Sequence, residues 1–264
     1  MTRSVQFRTL PVFGASEREV AEVVRGIMDG KTNNTGLLTL ATGNATTTTL
    51  YDERIGLESL IFFTPVSSAA QNDSAPYGAF QDTADQTAAS ANTAYALNFN
   101  TTDYSNGVYV SNNSRINVRN AGVYNLQFSA QLRNTDTQIH DVDIWLSKNG
   151  ATVSGTNGQV SVPNSHGGVD GHILPAWNYV IELAKNDYVE LIWSTSSTQV
   201  SVDFIPAQTS PTRPSTASII ATIQYIAPMA TDNVYVSSQQ RGQATVTHWA
   251  NNTANKTYGY VIIG

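Results

Sequence analysis

One stretch of strict alternation, residues 117–132, constrains the fold of this 264-residue chain more than any other. Its sequence is NVRNAGVYNLQFSAQL: every second residue from Tyr124 to Leu132 is apolar, and the residues between are amides and serine. Because successive side chains of a strand point to opposite faces, this period of two predicts a β-strand with one apolar and one amide-rich face. Gly122 precedes the strand in a turn where a residue without Cβ can take a positive φ.

Composition narrows the class of protein further. Charged residues make up only 13% of the chain, the net charge is −6, and there is no cysteine. A surface rich in hydroxyl and amide groups favours a β-rich extracellular or virion protein. The absence of any basic run predicts that nucleic acid is not a partner. No apolar run approaches the length of a membrane span, and no secretory signal is expected at the start of the chain.

One helix is predicted near the start of the chain. Ser16 and Glu19 have the spacing of a capping box, in which each satisfies a backbone N–H of the first turn. The apolar residues that follow, from Val20 to Met28, recur at helical spacing. We expect this amphipathic helix to turn its apolar stripe towards the protein core.

Short alternating segments predict strands in most of the remaining chain. Residues 31–64 and 228–264 share one style of short strand with Gly, Asn and Asp between, and we expect them to share a sheet. Residues 66–94 are small and polar, which predicts a linker or an extended arm, and we assign the linker to residues 71–94. From residue 95 to 227, about eight to ten strands without a helix indicate a sandwich.

The order of motifs within residues 95–228 resembles the C1q/tumour-necrosis-factor jelly roll. The resemblance is carried by Gly-x-Tyr-x-Leu-x-Phe at residues 122–128, then by DIWLSKNG, AWNYVIELAKNDYVELIW and SIIATIQYI. It implies a jelly-roll sandwich with threefold symmetry, of a kind carried by many phage virion proteins. We expect this module to form a projecting knob.

The flanking segments resemble a small domain of tailed-phage structural proteins. The matching pieces are EVAEVVRGIMDGKTNNTGLLTL, DERIGLESLIFFTP and GQATVTHWANNTANKTYGYVIIG. We therefore expect a discontinuous base domain of residues 1–70 plus 229–264 that attaches to the particle, a linker at 71–94 and a knob at 95–228. The predicted fold class is mainly β: a C1q/TNF-like jelly-roll sandwich inserted in a small mixed α/β base domain with one N-terminal amphipathic helix.

These resemblances imply a non-enzymatic structural component of a tailed-phage virion. It would be a trimeric capsid decoration protein or a short fibre, with itself and other virion proteins, such as the major capsid or tail proteins, as partners. The alternative is a receptor- or glycan-binding module of a phage tail fibre, in which loops 154–172 and 206–216 contact a host surface glycan or receptor. A third hypothesis is an enzyme such as a capsule depolymerase. The sequence has no catalytic constellation and no cofactor motif, so we expect no enzyme and no cofactor.

A Gly-rich segment, residues 154–172, contains the candidate ligand-binding residues. Imidazole and carboxylate groups can bind a divalent metal, but their spacing here matches no established motif, so no metal is predicted. Solvated loop residues are the alternative interpretation. The candidate ligand loop consists of His166, Gly167, Gly168, Asp170 and His172.

Two carboxylates on one strand are a further candidate. Asp141 and Asp143 flank Val142 and therefore share a face of the strand. Such a pair could hold Ca²⁺ or act in glycoside hydrolysis, or it could be exposed decoration of a sheet edge.

The apolar strand at residues 217–227 predicts a subunit interface. One of its faces is wholly apolar and belongs in a core, whereas the other alternates apolar and hydrogen-bonding side chains, as interfaces do. The amide face of the opening strand would lie beside it if the two strands are neighbours, as they are in C1q-like folds. The predicted homotrimer interface consists of Ile220, Thr222, Gln224, Ile226 and Gln127.

Overall fold

The computed structural model describes residues 10–28, 34–71, 75–226 and 234–264, and the predicted domain boundary at 228–229 falls outside these ranges. The protein is mainly β, with several antiparallel sheets, and the mainly β class is therefore confirmed. The helices of the described residues are α1 (Glu17–Met28) and α2 (Ser68–Gln71). The strands are β1 (Thr35–Thr39), β2 (Ala45–Tyr51), β3 (Leu60–Pro65), β4 (Tyr77–Asp82), β5 (Gln86–Thr87), β6 (Tyr95–Ala96), β7 (Thr101–Asn106), β8 (Val108–Ser111), β9 (Arg115–Val118), β10 (Gly122–Ala130), β11 (Leu132–Asn134), β12 (His140–Lys148), β13 (Ala151–Thr152), β14 (Gly158–Val162), β15 (Gly171–Ile173), β16 (Ala176–Leu183), β17 (Tyr188–Thr195), β18 (Val200–Val202), β19 (Gln208–Thr209), β20 (Thr212–Arg213), β21 (Ile219–Tyr225), β22 (Tyr235–Gln240), β23 (Gln243–Asn251) and β24 (Thr257–Ile263).

The chain divides into two compact units. The first contains the described residues up to 71 together with 234–248 and 252–264, and the second contains 75–226 together with 249–251.

In the first unit, strands from both ends of the chain form common sheets. One sheet has the order β1-β24-β3 and the other the order β2-β23-β22. Strand β24 pairs antiparallel along its length with β1 on one side and β3 on the other. The segments predicted to share a sheet therefore do so. Buried apolar side chains between the sheets form one core: Leu38, Leu40, Leu50, Ile55, Ala70, Val234, Ala244, Val246, Tyr258, Tyr260 and Ile262.

A buried polar contact also joins the two ends of the chain in this unit. The hydroxyl of Tyr260 donates to Oδ2 of Asp52 at 2.7 Å, and Nε of Arg54 donates to Oδ1 of the same carboxylate at 2.8 Å. The hydrogen bonds from Arg54 hold the pKa of Asp52 well below its usual range, and the Tyr260 hydroxyl adds to this effect, while burial opposes it. Asp52 is therefore ionised at neutral pH.

Helix α1 forms as predicted, but its apolar stripe is not in a core. The capping box is present, because the backbone N–H of Ser16 donates to Glu19 Oε2 at 2.9 Å and that of Glu19 donates to Ser16 Oγ at 3.3 Å. Within the described residues, however, α1 has no buried side chain, and Val24 and Ile27 are about half exposed. The predicted burial of the stripe is wrong. Capping and helical spacing are local signals, whereas burial needs a packing partner that the spacing does not specify.

Two large sheets pack face to face in the second unit. The first has the order β16-β10-β21-β4-β7. A separate four-stranded sheet has the order β15-β11-β18-β5, and its strands β11 and β5 come directly after β10 and β4 in the chain. The second has the order β13-β12-β17-β9-β8, with β14 also paired to β12 and β6 to β17. One core lies between them, and its largest fully buried side chains include Trp193, Tyr124, Phe80, Leu97, Ile116, Leu126, Ile144, Leu146 and Leu191.

The predicted linker at 71–94 is in large part a strand region, so that prediction is wrong. Strand β4 lies between β21 and β7, and β5 pairs with β18. Phe80 is fully buried, and a Cβ on Gly78 would lie 2.6 Å from the Phe80 ring. The small residue at position 78 is therefore required by the Phe80 ring, and the strand is held in the sheet by backbone hydrogen bonds to β21 and β7. The structure of residues 72–74 is outside the described ranges.

The predicted Gly-rich loop at 154–172 is also shorter in the structure. This segment contains β14, in which Val160 and Val162 point towards the core, and the start of β15. The loop that connects the two strands covers residues 163–170. The loop predicted at 206–216 contains the short β19–β20 hairpin. None of the described helices has the length and apolar character needed to cross a membrane.

Candidate functional site

The outer face of the β16-β10-β21-β4-β7 sheet brings together the residues predicted to form a subunit interface. Strand β21 lies directly beside β10, so that Thr222 pairs with Gln127 and Ile220 pairs with Ser129. On its other edge, β21 places Ile220 opposite Gln81 of β4. The neighbouring of the two strands, on which the predicted interface depends, is therefore confirmed.

Alternation fixes which side chains point outwards. The inward positions of β10 and β21 are buried in the core between the two sheets. The alternate positions on the four strands β10, β21, β4 and β16 therefore form one outer surface. We call this surface the outer sheet face, and its members are Val123, Asn125, Gln127, Ser129, Ile220, Thr222, Gln224, Tyr77, Ala79, Gln81, Ala176, Asn178, Val180 and Glu182.

The outer sheet face combines exposed apolar groups with neutral polar groups. Its positions on β10, β21 and β4 have no charged side chain; Glu182, on the edge strand β16, is the one acidic member. Ile220 is 41% exposed and Val180 is 64% exposed, and Tyr104 of the neighbouring β7 is 69% exposed. The centres of protein interfaces are depleted of charge in the same way, while a solvated surface is normally charged.

Two shallow depressions lie on this face. One, of about 610 Å³, is lined by Gln127, Ser129, Asn178, Ile220 and Thr222, with Trp177 and parts of the adjoining strands. The other, of about 440 Å³, is lined by Ala75, Pro76, Tyr77, Gly78, Ala79, Tyr104, Thr222, Gln224 and Tyr225. Both have Thr222 in their lining, so they adjoin along β21. Each can accept a protruding side chain of a partner.

Aromatic side chains in the core give this sheet a fixed backing. The ring of Phe128 stacks on that of Tyr179, with centroids 6.1 Å apart, and Tyr124 contacts Tyr225 edge-on at 5.3 Å. The buried hydroxyl of Tyr124 donates to the carbonyl of Asn120 at 2.8 Å. Burial raises the pKa of the Tyr124 phenol, and the neighbouring Tyr225 raises it further. The phenol therefore stays protonated, and the outer sheet face is backed by a packed aromatic core.

The last predicted interface residue lies just beyond the end of β21. Ile226 continues the pairing, because its backbone N–H donates to the carbonyl of Val123 at 2.7 Å. Its side chain is 44% exposed. Ile220, Thr222, Gln224, Ile226 and Gln127 thus lie on one continuous surface.

The predicted ligand loop is less coherent than the predicted interface. His166 lies in a turn closed by backbone hydrogen bonds with Val169, and its side chain is exposed. Gly167 and Gly168 have φ values of +62° and +82°, so they supply the left-handed backbone of this turn. His172 lies instead in β15.

The surroundings of His172 disfavour a cation. It pairs with Arg133 of β11, whose guanidinium forms an ion pair with Asp203 at 3.3 Å. Burial raises the pKa of Asp203, Arg133 opposes the shift, and Asp85 adds to it. A positive charge thus already lies next to His172. In the ranges that the structure describes, no group of three or more His, Asp or Glu side chains is placed to hold a metal ion.

Several residues of the outer sheet face were not found by sequence reasoning. Tyr77 and Ala79 lie in the segment assigned to the linker, and Asn178 and Val180 lie on a strand whose neighbour was not predicted. Alternation in AWNYVIEL could have identified the outward residues of β16. Their position beside Gln127 depends on long-range pairing that alternation does not give.

No protein-family model and no curated protein matches this sequence.

Proposed function

We propose that this chain is a non-enzymatic structural protein that assembles as a homotrimer through the outer sheet face. Its role is that of a capsid decoration protein or short fibre of a tailed-phage virion, with the first unit attached to the particle. The observation that carries the proposal is the outer sheet face itself, a surface whose centre is uncharged and whose apolar groups are exposed.

The strand order supports a jelly roll for the second unit. Its principal strands, numbered one to eight along the chain, are β4, β9, β10, β12, β14, β16, β17 and β21. One sheet then has the order 6-3-8-1 and the other the order 5-4-7-2. A jelly roll is a double sheet of eight strands in which two Greek keys are interleaved, and it has this strand order. This order also agrees with the C1q/TNF-like resemblance, which implies the threefold symmetry.

Self-association is favoured because the outer sheet face exposes apolar side chains to water, which is unfavourable in free energy. Removing Ile220, Val123, Val180 and their neighbours from water would stabilise an assembly, since complete burial of one such side chain contributes roughly 1.5–3 kcal/mol. The interspersed amides of Asn125 and Gln127 can hydrogen-bond across an interface and fix its register. The virion assignment rests on the resemblance of the flanking segments to tailed-phage structural proteins.

A charge placed at the centre of the face tests the interface. Ile220→Asp should convert a trimer into a folded monomer, measured by sedimentation velocity, with circular dichroism to show that the β structure remains. Ile139→Asp is the matched control, because Ile139 is an isoleucine of the same unit that is 63% exposed and lies outside the outer sheet face. An Ile220→Asp protein that sediments like the wild type, or an Ile139→Asp protein that dissociates, would contradict the proposed interface.

The virion assignment needs a separate experiment. Particles produced from the genome that encodes this chain would be imaged by electron microscopy after gold labelling with an antibody against residues 75–226. Regularly spaced label on the head or tail is the expected result. Label confined to unassembled protein would contradict a structural role in the particle.

A further inference from the structure

The second large sheet of the same unit has a cleft on its own outward side. Strand β12 buries Val142, Ile144 and Leu146 in the core, so Asp143 and Trp145 point away from it. The cleft of about 450 Å³ lies between these two side chains, Ser194 of β17 and the loop that follows β13. The outer sheet face belongs to the opposite sheet, so the cleft and the proposed trimer interface are separate surfaces.

A half-buried tryptophan contributes the apolar part of the cleft. Trp145 is neither buried nor fully exposed, and it pairs in register with Ile192 of β17. The structure gives its indole N–H no hydrogen bond to any described residue. The ring therefore offers a flat apolar surface together with a free donor.

A carboxylate in a fixed orientation lies beside this ring. Oδ1 of Asp143 accepts from Nδ2 of Asn157 at 2.9 Å and from Nε2 of Gln159 at 3.4 Å. Its other oxygen has no hydrogen bond to a described residue and is left for a ligand. Ser194 is the cross-strand partner of Asp143, and its hydroxyl is likewise without a bond to described residues.

The loop that forms the far side of the cleft is held by hydrogen bonds. The hydroxyl of Thr156 donates to the carbonyl of Val153 at 2.7 Å and accepts from the backbone N–H of Leu146 at 3.0 Å. The hydroxyl of Tyr179 donates to the carbonyl of Thr156 at 2.9 Å. Because these contacts fix the loop before any ligand arrives, binding would cost little ordering entropy.

The chemistry of the lining selects among ligand classes. Among the described residues that line the cleft there is one carboxylate and no cationic side chain, which disfavours anions. Its hydroxyl, amide and carboxylate groups surround an aromatic ring, and its volume is within the range of small-ligand sites, about 300–1,000 Å³. A neutral sugar matches this arrangement, since it presents an apolar C–H face to an aromatic ring and hydroxyl groups to the surrounding acceptors and donors.

From this geometry we infer that the cleft at Trp145 and Asp143 is a binding site for a neutral mono- or disaccharide unit. The C–H face of the sugar lies on the indole, and a hydroxyl donates to the free oxygen of Asp143. Ser194 and Asn157 contact neighbouring hydroxyls. The site does not depend on the homotrimer. It shares Ser154, Gly155 and Asn157 with the predicted contact loop 154–172, but it includes none of the candidate ligand residues at 166–172.

Ligand-observed saturation-transfer NMR on the full chain tests the site. The probes are the methyl glycosides of glucose, galactose, mannose, N-acetylglucosamine and N-acetylgalactosamine, with methyl glucuronide as an anionic probe and choline as a cationic one. At least one neutral glycoside should bind with millimolar affinity, with its C–H protons closest to the protein, and glucuronide should not bind. Binding of no neutral glycoside, or of choline alone, would overturn the inference.

Paired variants locate the binding. Asp143→Asn should weaken the affinity by tenfold or more, whereas Asp141→Asn should leave it unchanged. Asp141 shares the strand and the face, but its carboxylate bonds to Ser161 and does not line the cleft. Trp145→Ala should abolish binding and Trp145→Phe should retain part of it. Equal effects of the two aspartate variants would place the sugar elsewhere and overturn the site.

A further variant separates this inference from the proposed function. Ile220→Asp should leave glycoside binding unchanged, since its side chain is on the opposite sheet. Loss of trimer with retained binding would leave both proposals standing. Failure of either result refutes only the proposal that it tests.

Discussion

The contact between Asp52 and Tyr260 gives the sharpest test of how the two ends of the chain form one unit. Tyr260→Phe removes the hydroxyl that donates to Asp52 at 2.7 Å and keeps the ring in the core. Asp52 lies near the start of the chain and Tyr260 on its last strand, β24. The variant therefore changes one hydrogen bond between the two ends.

The size of the effect follows from the charge of the acceptor. A hydrogen bond to a charged group contributes roughly 1.5–3 kcal/mol. Arg54 continues to pair with Asp52 in the variant, and only 6% of the Asp52 side chain is exposed, so the carboxylate stays ionised but loses one donor. We expect a loss of about 1.5–2 kcal/mol of unfolding free energy for the first unit at about pH 7.

The effect should depend on pH in a defined direction. The folded-state pKa of Asp52 is depressed, so its contribution to stability is fully present above the unfolded pKa of about 3.9 and is lost as the pH falls through the folded value. Without the Tyr260 hydroxyl the pKa is less depressed. The unfolded state is the same in both proteins, so the difference between wild type and variant should stay constant from about pH 7 down to about pH 4. It should shrink only as the pH falls further, through the folded-state pKa values of the two proteins.

Hydrogen exchange of the β24 amides, corrected for intrinsic rates, measures opening of the first unit separately from the second. Tyr260→Phe should accelerate this exchange by roughly tenfold or more at about pH 7. Tyr235→Phe is the control: Tyr235 is 56% exposed on β22 of the same unit, and the change should stay within about 0.5 kcal/mol. Unchanged protection in Tyr260→Phe, or a difference that grows in acid, would refute the reasoning.

Two further changes test the second unit. Gly122→Ala should lower the unfolding free energy by about 1–3 kcal/mol in thermal denaturation, because the new Cβ would lie 2.0 Å from the Tyr225 ring; an unchanged melting temperature would contradict this packing. Deletion of residues 164–170 should leave the melting temperature nearly unchanged, because the residues that flank the deletion, Pro163 and Gly171, are already in contact. They are so close that a Cβ added to Gly171 would lie only 1.8 Å from the Pro163 carbonyl oxygen. A large loss of stability would show that the loop supports the fold.

Where the sequence succeeded, the signal was local or strictly periodic. Alternation in residues 122–130 identified β10 and its outward Gln127, and the capping box of Ser16 and Glu19 identified the start of α1. The sequence explained Gly122 by the backbone of a turn. The structure adds a second reason, because a Cβ at this position would collide with the ring of Tyr225.

Where the sequence failed, the deciding contacts were distant in the chain. Residues 77–82 looked like linker because they contain no large aliphatic residue. The burial of Phe80 and the pairing of the segment with β21 nevertheless make it an internal strand. The apolar stripe of α1 predicted a core that the described residues do not supply.

The outer sheet face and the cleft were each predicted in part, the cleft only through Asp143 and the contact loop 154–172. To predict that the outward residues of β10 and β21 form one surface, it was enough to assume that the two strands are neighbours. The sequence did place Asp141 and Asp143 on one face, but the cleft uses Asp143 with Trp145, Ser194 and Asn157. These residues come from two strands and a loop, and their proximity depends on sheet register.

The solution mass of the wild-type protein tests the central claim most directly. Sedimentation equilibrium at micromolar concentration should give three times the mass of the 28.5-kDa chain. The Ile220→Asp variant should give the mass of a single chain under the same conditions. A wild-type protein that remains a monomer at micromolar concentration would contradict assembly through the outer sheet face.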